Sequence, residues 1–100
     1  MACIVPPLDN PVQGRVTVGI ASVLVRAANA ERRYLLLVND SDTAIYVSLD
    51  AAALLNSGIR LNALGGWYEM LEGQNLYLGA VSAISSAAAK YLTYVEAPGA

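Results

Sequence analysis

No histidine occurs anywhere in the chain. Its absence removes the commonest general base and the commonest transition-metal ligand, and with them any Ser–His–Asp or Cys–His arrangement. There is one cysteine, Cys3, so no intrachain disulfide and no cysteine-based zinc site can be built. Phenylalanine is also missing. Basic residues are scarce: six Lys and Arg stand against eight Asp and Glu, and Arg32–Arg33 is the only adjacent basic pair. Nucleic-acid binders draw most of their affinity from clustered Lys and Arg, so no nucleic-acid partner is expected. Charged residues make up only 14% of the chain, against about 25% in an average soluble domain. A small domain has much surface to cover with so few charges. Apolar surface is therefore expected in an interface, which points to a homo-oligomer or an assembly component.

The start of the chain lacks the basic and apolar regions of a signal peptide. The longest membrane candidate, Leu76 to Leu92, is broken by Ser82, Ser85, Ser86 and Lys90, short of about 20 clean apolar residues. The expectation is a protein that folds in a cytoplasm with no membrane partner.

Prolines divide what remains. Pro6, Pro7 and Pro11 lie near the start and Pro98 near the end, with none between. Proline cannot donate to a β-ladder. The chain accordingly reads as an extended N-terminal arm (residues 1–14), a β-sandwich domain (15–97) and a short tail (98–100). The arm is apolar at Ile4, Val5 and Leu8 and suits a strand or clamp laid on a neighbour.

Period-two alternation dominates the body. Val16 to Ala27 reads as one long or bulged strand, with a bend at Gly19. Arg32 to Asn39 is apolar on both faces, as in a central strand. The turn formers Asn39-Asp40-Ser41-Asp42 lead to a strand from Thr43 to Leu49, with Ile45, Val47 and Leu49 inward. Strand, turn and strand predict a hairpin. Asp50 can cap a short helical turn over about residues 51–56, ended by Gly58. Short strands follow over 59–62, 67–71, 76–84 and 90–96. The sum is an all-β fold: a single antiparallel β-sandwich or barrel-like domain of about seven strands.

Catalytic and metal chemistry find little footing. Cys3 lacks a local base and reads as an inert thiol. Asp40, Asp42, Glu31, Asp50 and Glu72 fall at turns or element ends, and Glu69 alone sits mid-strand. Asp40-Ser41-Asp42 lacks the glycine and the distal glutamate of a calcium loop. Gly65-Gly66 has no Lys-Ser/Thr after it and cannot be a phosphate loop. No enzyme activity, cofactor or metal is expected. The aromatics are more telling: six tyrosines and one tryptophan, types that favour interfaces and sugar surfaces. Tyr46, Trp67, Tyr68 and Tyr94 join Ile4, Val5 and Leu8 as interface candidates, Tyr46 and Tyr94 on outward faces.

The run Arg33-Tyr34-Leu35-Leu36-Leu37-Val38-Asn39-Asp40-Ser41-Asp42-Thr43-Ala44-Ile45-Tyr46-Val47 resembles a hairpin of small tailed-phage virion proteins. Gly58-Ile59-Arg60-Leu61-Asn62 with Gly65-Gly66-Trp67-Tyr68-Glu69 is similar to their next segment, although Leu64 stands where the family has a proline. Leu76-Tyr77, Ala80 to Ser86 and Lys90 to Glu96 resemble their ending. The likeness covers about residues 32–96. It implies a virion structural protein assembled in the host cytoplasm: a capsid decoration or cement subunit, acting as a homo-oligomer (a trimer in the simplest case) on the major capsid protein. The alternatives are a host-surface glycan-binding module of a tail or head fibre, with Trp67 and Tyr68 as first candidates, and a tail or connector structural subunit.

Overall fold

A computed structural model describes residues 10–98. Eight strands run in order: β1 Val12–Val18, β2 Val23–Arg26, β3 Tyr34–Asp40, β4 Ile45–Leu49, β5 Ile59–Leu61, β6 Trp67–Leu71, β7 Val81–Ser85 and β8 Lys90–Ala97. They form two four-stranded sheets, β1-β8-β3-β6 and β2-β7-β4-β5. All pairings are antiparallel. The fold is thus the all-β sandwich that the alternation predicts, and its strand order is that of a jelly roll.

Between the sheets lie Val18, Leu35, Leu37, Ile45, Val47, Leu61, Met70, Val81, Ala83 and Leu92, all essentially without solvent contact. They alternate with exposed or half-buried neighbours along β3 and β4. Burial of one such side chain stabilises by about 1.5–3 kcal/mol.

Several local expectations fail, the first of them because this topology sends nearly every connection from one sheet to the other. Only β4 and β5 are both consecutive and paired. Val16 to Ala27 is two strands, because the chain leaves the first sheet after Val18 and enters the second at Val23. That split makes eight strands instead of seven. β1 also begins at Val12 and pairs with β8 from there, so residues 12–14 belong to the sandwich and not to an arm. Ile4, Val5, Leu8 and Cys3 lie outside the described residues.

The hairpin over residues 32–49 is not formed. β3 pairs with β6 and β8, whereas β4 pairs with β5 and β7. The Asn39–Thr43 segment is an arch between sheets. Asn39 is fully buried, and its amide donates to the Thr43 carbonyl at 2.8 Å and the Leu61 carbonyl at 2.9 Å. Its carbonyl oxygen accepts from the Ser41 hydroxyl at 2.7 Å. Those bonds replace the ladder a hairpin would have made.

The helical turn over 51–56 is absent as well. Asp50 and Asn56 have φ of 81° and 60°, whereas an N-cap residue keeps extended backbone. The segment's amides bond sideways instead: Asp50 N–H donates to the Ala80 carbonyl at 3.0 Å, and Ala53 N–H to the Ser22 hydroxyl at 2.8 Å. The strand expected from residue 76 starts only at Val81, because the carbonyls of Tyr77 and Gly79 are taken by Arg32.

Candidate functional site

Three regions carry chemistry beyond the plain core: a buried charge cluster, the outer face of the first sheet, and an apolar patch on the second.

The cluster joins Arg26, Arg32 and Glu96. In β2 a bulge after Leu24 shifts the register, so that Arg26 comes opposite the core residue Val81. Arg26 thereby turns toward Glu96 on the inner face of β8. Its Nε and Nη2 donate to Glu96 Oε1 at 2.9 and 2.7 Å. Arg32 Nε donates to the other carboxylate oxygen. The remaining Arg32 donors reach the carbonyls of Tyr77 at 2.7 Å, Gly79 at 3.0 Å and Ala27 at 2.9 Å. The Arg32 and Glu96 side chains are out of solvent. Every buried side-chain polar atom among the described residues has a partner. The cluster's bonds tie the two sheets and the 76–80 segment together. Strand alternation gave no sign of it, since the two arginines and Glu96 lie far apart in sequence.

The outer face of the first sheet is built by register. Val95 lies opposite Gln13 and Leu36, and Thr93 opposite Arg15 and Val38. Leu36 and Val38 in turn face Glu69 and Trp67. Residues directly opposite in an antiparallel pair share a face. Leu36, Val38, Val95 and Leu71 stay half-buried, while Trp67 is 63% and Tyr91 37% exposed. A solvated sheet face normally alternates to polar residues; here the polar Gln13, Arg15, Thr17, Thr93, Asp40 and Glu69 surround an apolar centre of Leu36, Val38 and Val95. The charges of this face are Arg15 at the β1 edge, Glu69 at the β6 edge and the exposed Asp40 at the end of β3, opposite Tyr91. The Arg15 guanidinium lies 4.3 Å over the Tyr91 ring near β1. Glu69 on β6 accepts from the Tyr34 hydroxyl at 2.6 Å.

That bond has a titration consequence. Tyr34 is pushed up to about 12 from 10.0, first by burial and then by the hydrogen bond and charge of Glu69. A phenol whose folded pKa is raised keeps its full contribution below the unfolded value and loses it as pH climbs toward the folded one. Tyr34's contribution should therefore be level below about pH 10 and be lost from there to about pH 12. Tyr34→Phe should make the fall in stability shallower, as read from urea midpoints across that range.

The patch on the second sheet gathers Ile20, Leu24, Leu54 and Leu55, all exposed. The Ser22–Ala53 bond holds the 19–22 and 51–57 segments side by side. Leu24 lies opposite Ser82, on the outer face of that sheet.

Among the sequence-derived candidates, Trp67 is placed on an exposed face. Tyr46 is on the outer face of the second sheet, but its hydroxyl donates to Asn56 Oδ1 at 3.0 Å and it is half-buried. Tyr94 is corrected: it shares the inner face with Leu37, packs on the core and lies under the Arg26 guanidinium at 4.6 Å. Glycine at position 14 leaves room for it, since a Cβ there would lie 2.8 Å from the Tyr94 hydroxyl. Tyr68 is likewise on the inner face opposite Leu37. Which alternating set faces inward is decided by the partner strand.

One shallow depression, lined by Gln13, Gly14, Thr93, Tyr94 and Val95, is open to solvent and lacks the enclosing walls of a ligand pocket. Among the described residues no cluster of three or more acid or thiol side chains is placed to hold a metal ion, and no helix is long and apolar enough to cross a membrane. The chain matches no protein family, no curated protein and no solved structure.

Proposed function

We propose that this chain is a structural virion protein, a capsid decoration or cement subunit that stabilises a head through subunit contacts. One observation carries the reading: apolar surface is exposed on two sides, around Trp67, Val38 and Leu36 on the first sheet and, beside the second, at Leu24 on β2 with Ile20, Leu54 and Leu55 on the neighbouring loops. A cement subunit needs two such surfaces, one for its own neighbours and one for the shell. The strand order supports the reading by analogy only, since jelly rolls serve in capsids and also in lectins. Many weak copies on one shell hold together by multivalency.

The test is co-sedimentation with empty shells assembled from the major capsid protein of the same genome. Saturable retention is expected, with shells that come apart at a higher temperature when decorated. Leu24→Asp with Leu54→Asp changes exposed positions only and should weaken retention at least about tenfold, the loss of roughly 1.4 kcal/mol. A chain that stays in the supernatant overturns the proposal. Signal on a glycan array in that case would favour the host-recognition alternative, for which the exposed Trp67 is the supporting observation.

A further inference from the structure

We infer that the outer face of the β1-β8-β3-β6 sheet pairs with the same face of a second copy, about a two-fold axis parallel to the strands.

The argument starts from the edges. Arg15 stands at the β1 edge of the face and Glu69 at the β6 edge, with Val95, Leu36, Thr93 and Val38 between them. Two identical faces can stack about an in-plane two-fold in two simple ways. An axis across the strands lays each strand on its own copy. It puts the Arg15 edge on the other Arg15 edge and Glu69 on Glu69, like charge on like. An axis along the strands, between β8 and β3, reverses the strand order and lays β1 over β6 of the other copy. Register then matches row by row. Arg15 comes over the partner's Trp67, with the partner's Glu69 one row away. Val95 meets the partner's Leu36, and Thr93 the partner's Val38. Cation over indole and apolar on apolar are favourable contacts, and the charged edges become complementary. Aligned sheets pack with a skew of about 30°, which leaves the central pairs in place and lets the long Arg15 side chain reach either Trp67 or Glu69.

The face sets the strength. Strands of up to eight residues at about 3.4 Å per residue and 4.8 Å between strands give a footprint of roughly 450 Å². A standard interface buries about 800 Å² per partner. The dimer is therefore weak, with a Kd on the order of 1–100 µM.

The inference shares with the proposed function only the premise that this face is a contact surface, and the two fail separately. A dimer that ignores shells keeps the pairing and drops the virion role. A monomer that decorates shells does the reverse.

Sedimentation velocity of the full chain across that concentration range should show conversion from 10.5 kDa to twice that mass. Trp67 is the only tryptophan, so its emission should shift to the blue over the same range. Arg15→Glu alone and Glu69→Arg alone should each weaken dimerisation at least about tenfold, and the double swap should restore part of it, because the Arg15–Glu69 contact then reappears with its signs exchanged whereas the cation over the indole does not. Circular dichroism checks that each variant folds. A chain that stays monomeric at about 200 µM, a trimer, a dimer indifferent to Arg15→Glu, or a double swap that rescues nothing each overturns the pairing. So does dimerisation that begins only after residues 2–9 are removed, since the face would then belong to the chain's own N-terminal segment.

Discussion

Glu96→Gln is expected to lower the stability of this protein by about 3–5 kcal/mol, because it leaves two guanidinium groups facing each other in the interior without a counter-charge. For a domain of this length each kcal/mol moves Tm by about 4–8 °C, so the melt should fall by about 12 °C or more. Thermal and urea unfolding followed by circular dichroism measure it. The carboxylate accepts from both Arg26 and Arg32, and the amide that replaces it can neither match the charge nor accept on both sides. A second variant separates charge from clamp. Replacing Arg26, Arg32 and Glu96 together by Leu, Met and Leu removes every buried charge, and such swaps are often neutral or stabilising elsewhere. Here the triple variant should remain below the parent. Arg32 also satisfies the carbonyls of Ala27, Tyr77 and Gly79, and each orphaned buried carbonyl costs about 1–3 kcal/mol. A triple variant as stable as the parent would show that those carbonyls find water or other partners.

Asn39→Leu should cost about 3 kcal/mol or more through the opposite end of β3. The side chains are of similar size, so the loss is polar. The Leu61 carbonyl loses its donor, and the Thr43 carbonyl is left with the Ser41 hydroxyl alone, 2.9 Å away, once the Asn39 amide is gone. Asn39→Asp should do no better, since a carboxylate cannot donate to two carbonyls. The same position organises the neighbouring turn, for Gly65 N–H donates to the Asn39 carbonyl and Leu64 N–H to that of Ser41, each at 2.8 Å. Hydrogen exchange at Leu64 and Gly65 should accelerate in the variant more than exchange at Leu37 in mid-strand. Equal acceleration everywhere would mean that the arch opens only with global unfolding. Both variants lie outside the proposed contact faces, so association of the folded fraction should be unchanged.

The two polar clusters explain how a charge-poor chain fixes a topology made almost wholly of crossings. Tight hairpins set register through their turns, and this fold has none between β3 and β4 or between β1 and β2. Asn39 at one end of β3 and Arg32 before its other end bind the crossing loops to the strands they leave. Glu96, paired across from Leu35, completes the lower tie. Buried polar groups carry a desolvation cost unless fully satisfied, and here they are.

The alternation of β3, β4 and β8 was legible because side-chain direction has a period of two whatever the partner strand. The apolar double face of Tyr34–Asp40 announced a central strand, and β3 is central. The turn residues at 39–42 and 65–66 marked changes of direction. They did not state which sheet the chain turned into. Asn, Asp and Ser serve an arch as readily as a hairpin, and the difference lay in a carbonyl at Leu61, which no local window contains. Likewise Ala51 to Leu55 has helical propensity, but the amide of Ala53 found Ser22 first. Trp67 is exposed, as its choice as an interface candidate requires. Tyr94 and Tyr68 could not be told from it, because the face a tyrosine takes depends on the strand laid beside it.

Composition and periodicity by themselves therefore determined that the chain is all-β, that its body is one sandwich, and which residues alternate together along each strand. These follow from local rules of burial and backbone geometry. Tertiary structure alone decided the sheet order, the inward choice between the two alternating sets, the meeting of Arg26, Arg32 and Glu96, and the apolar outer face with charges at its two edges. Each of those is a relation between residues distant in sequence, fixed only when the strands are laid side by side.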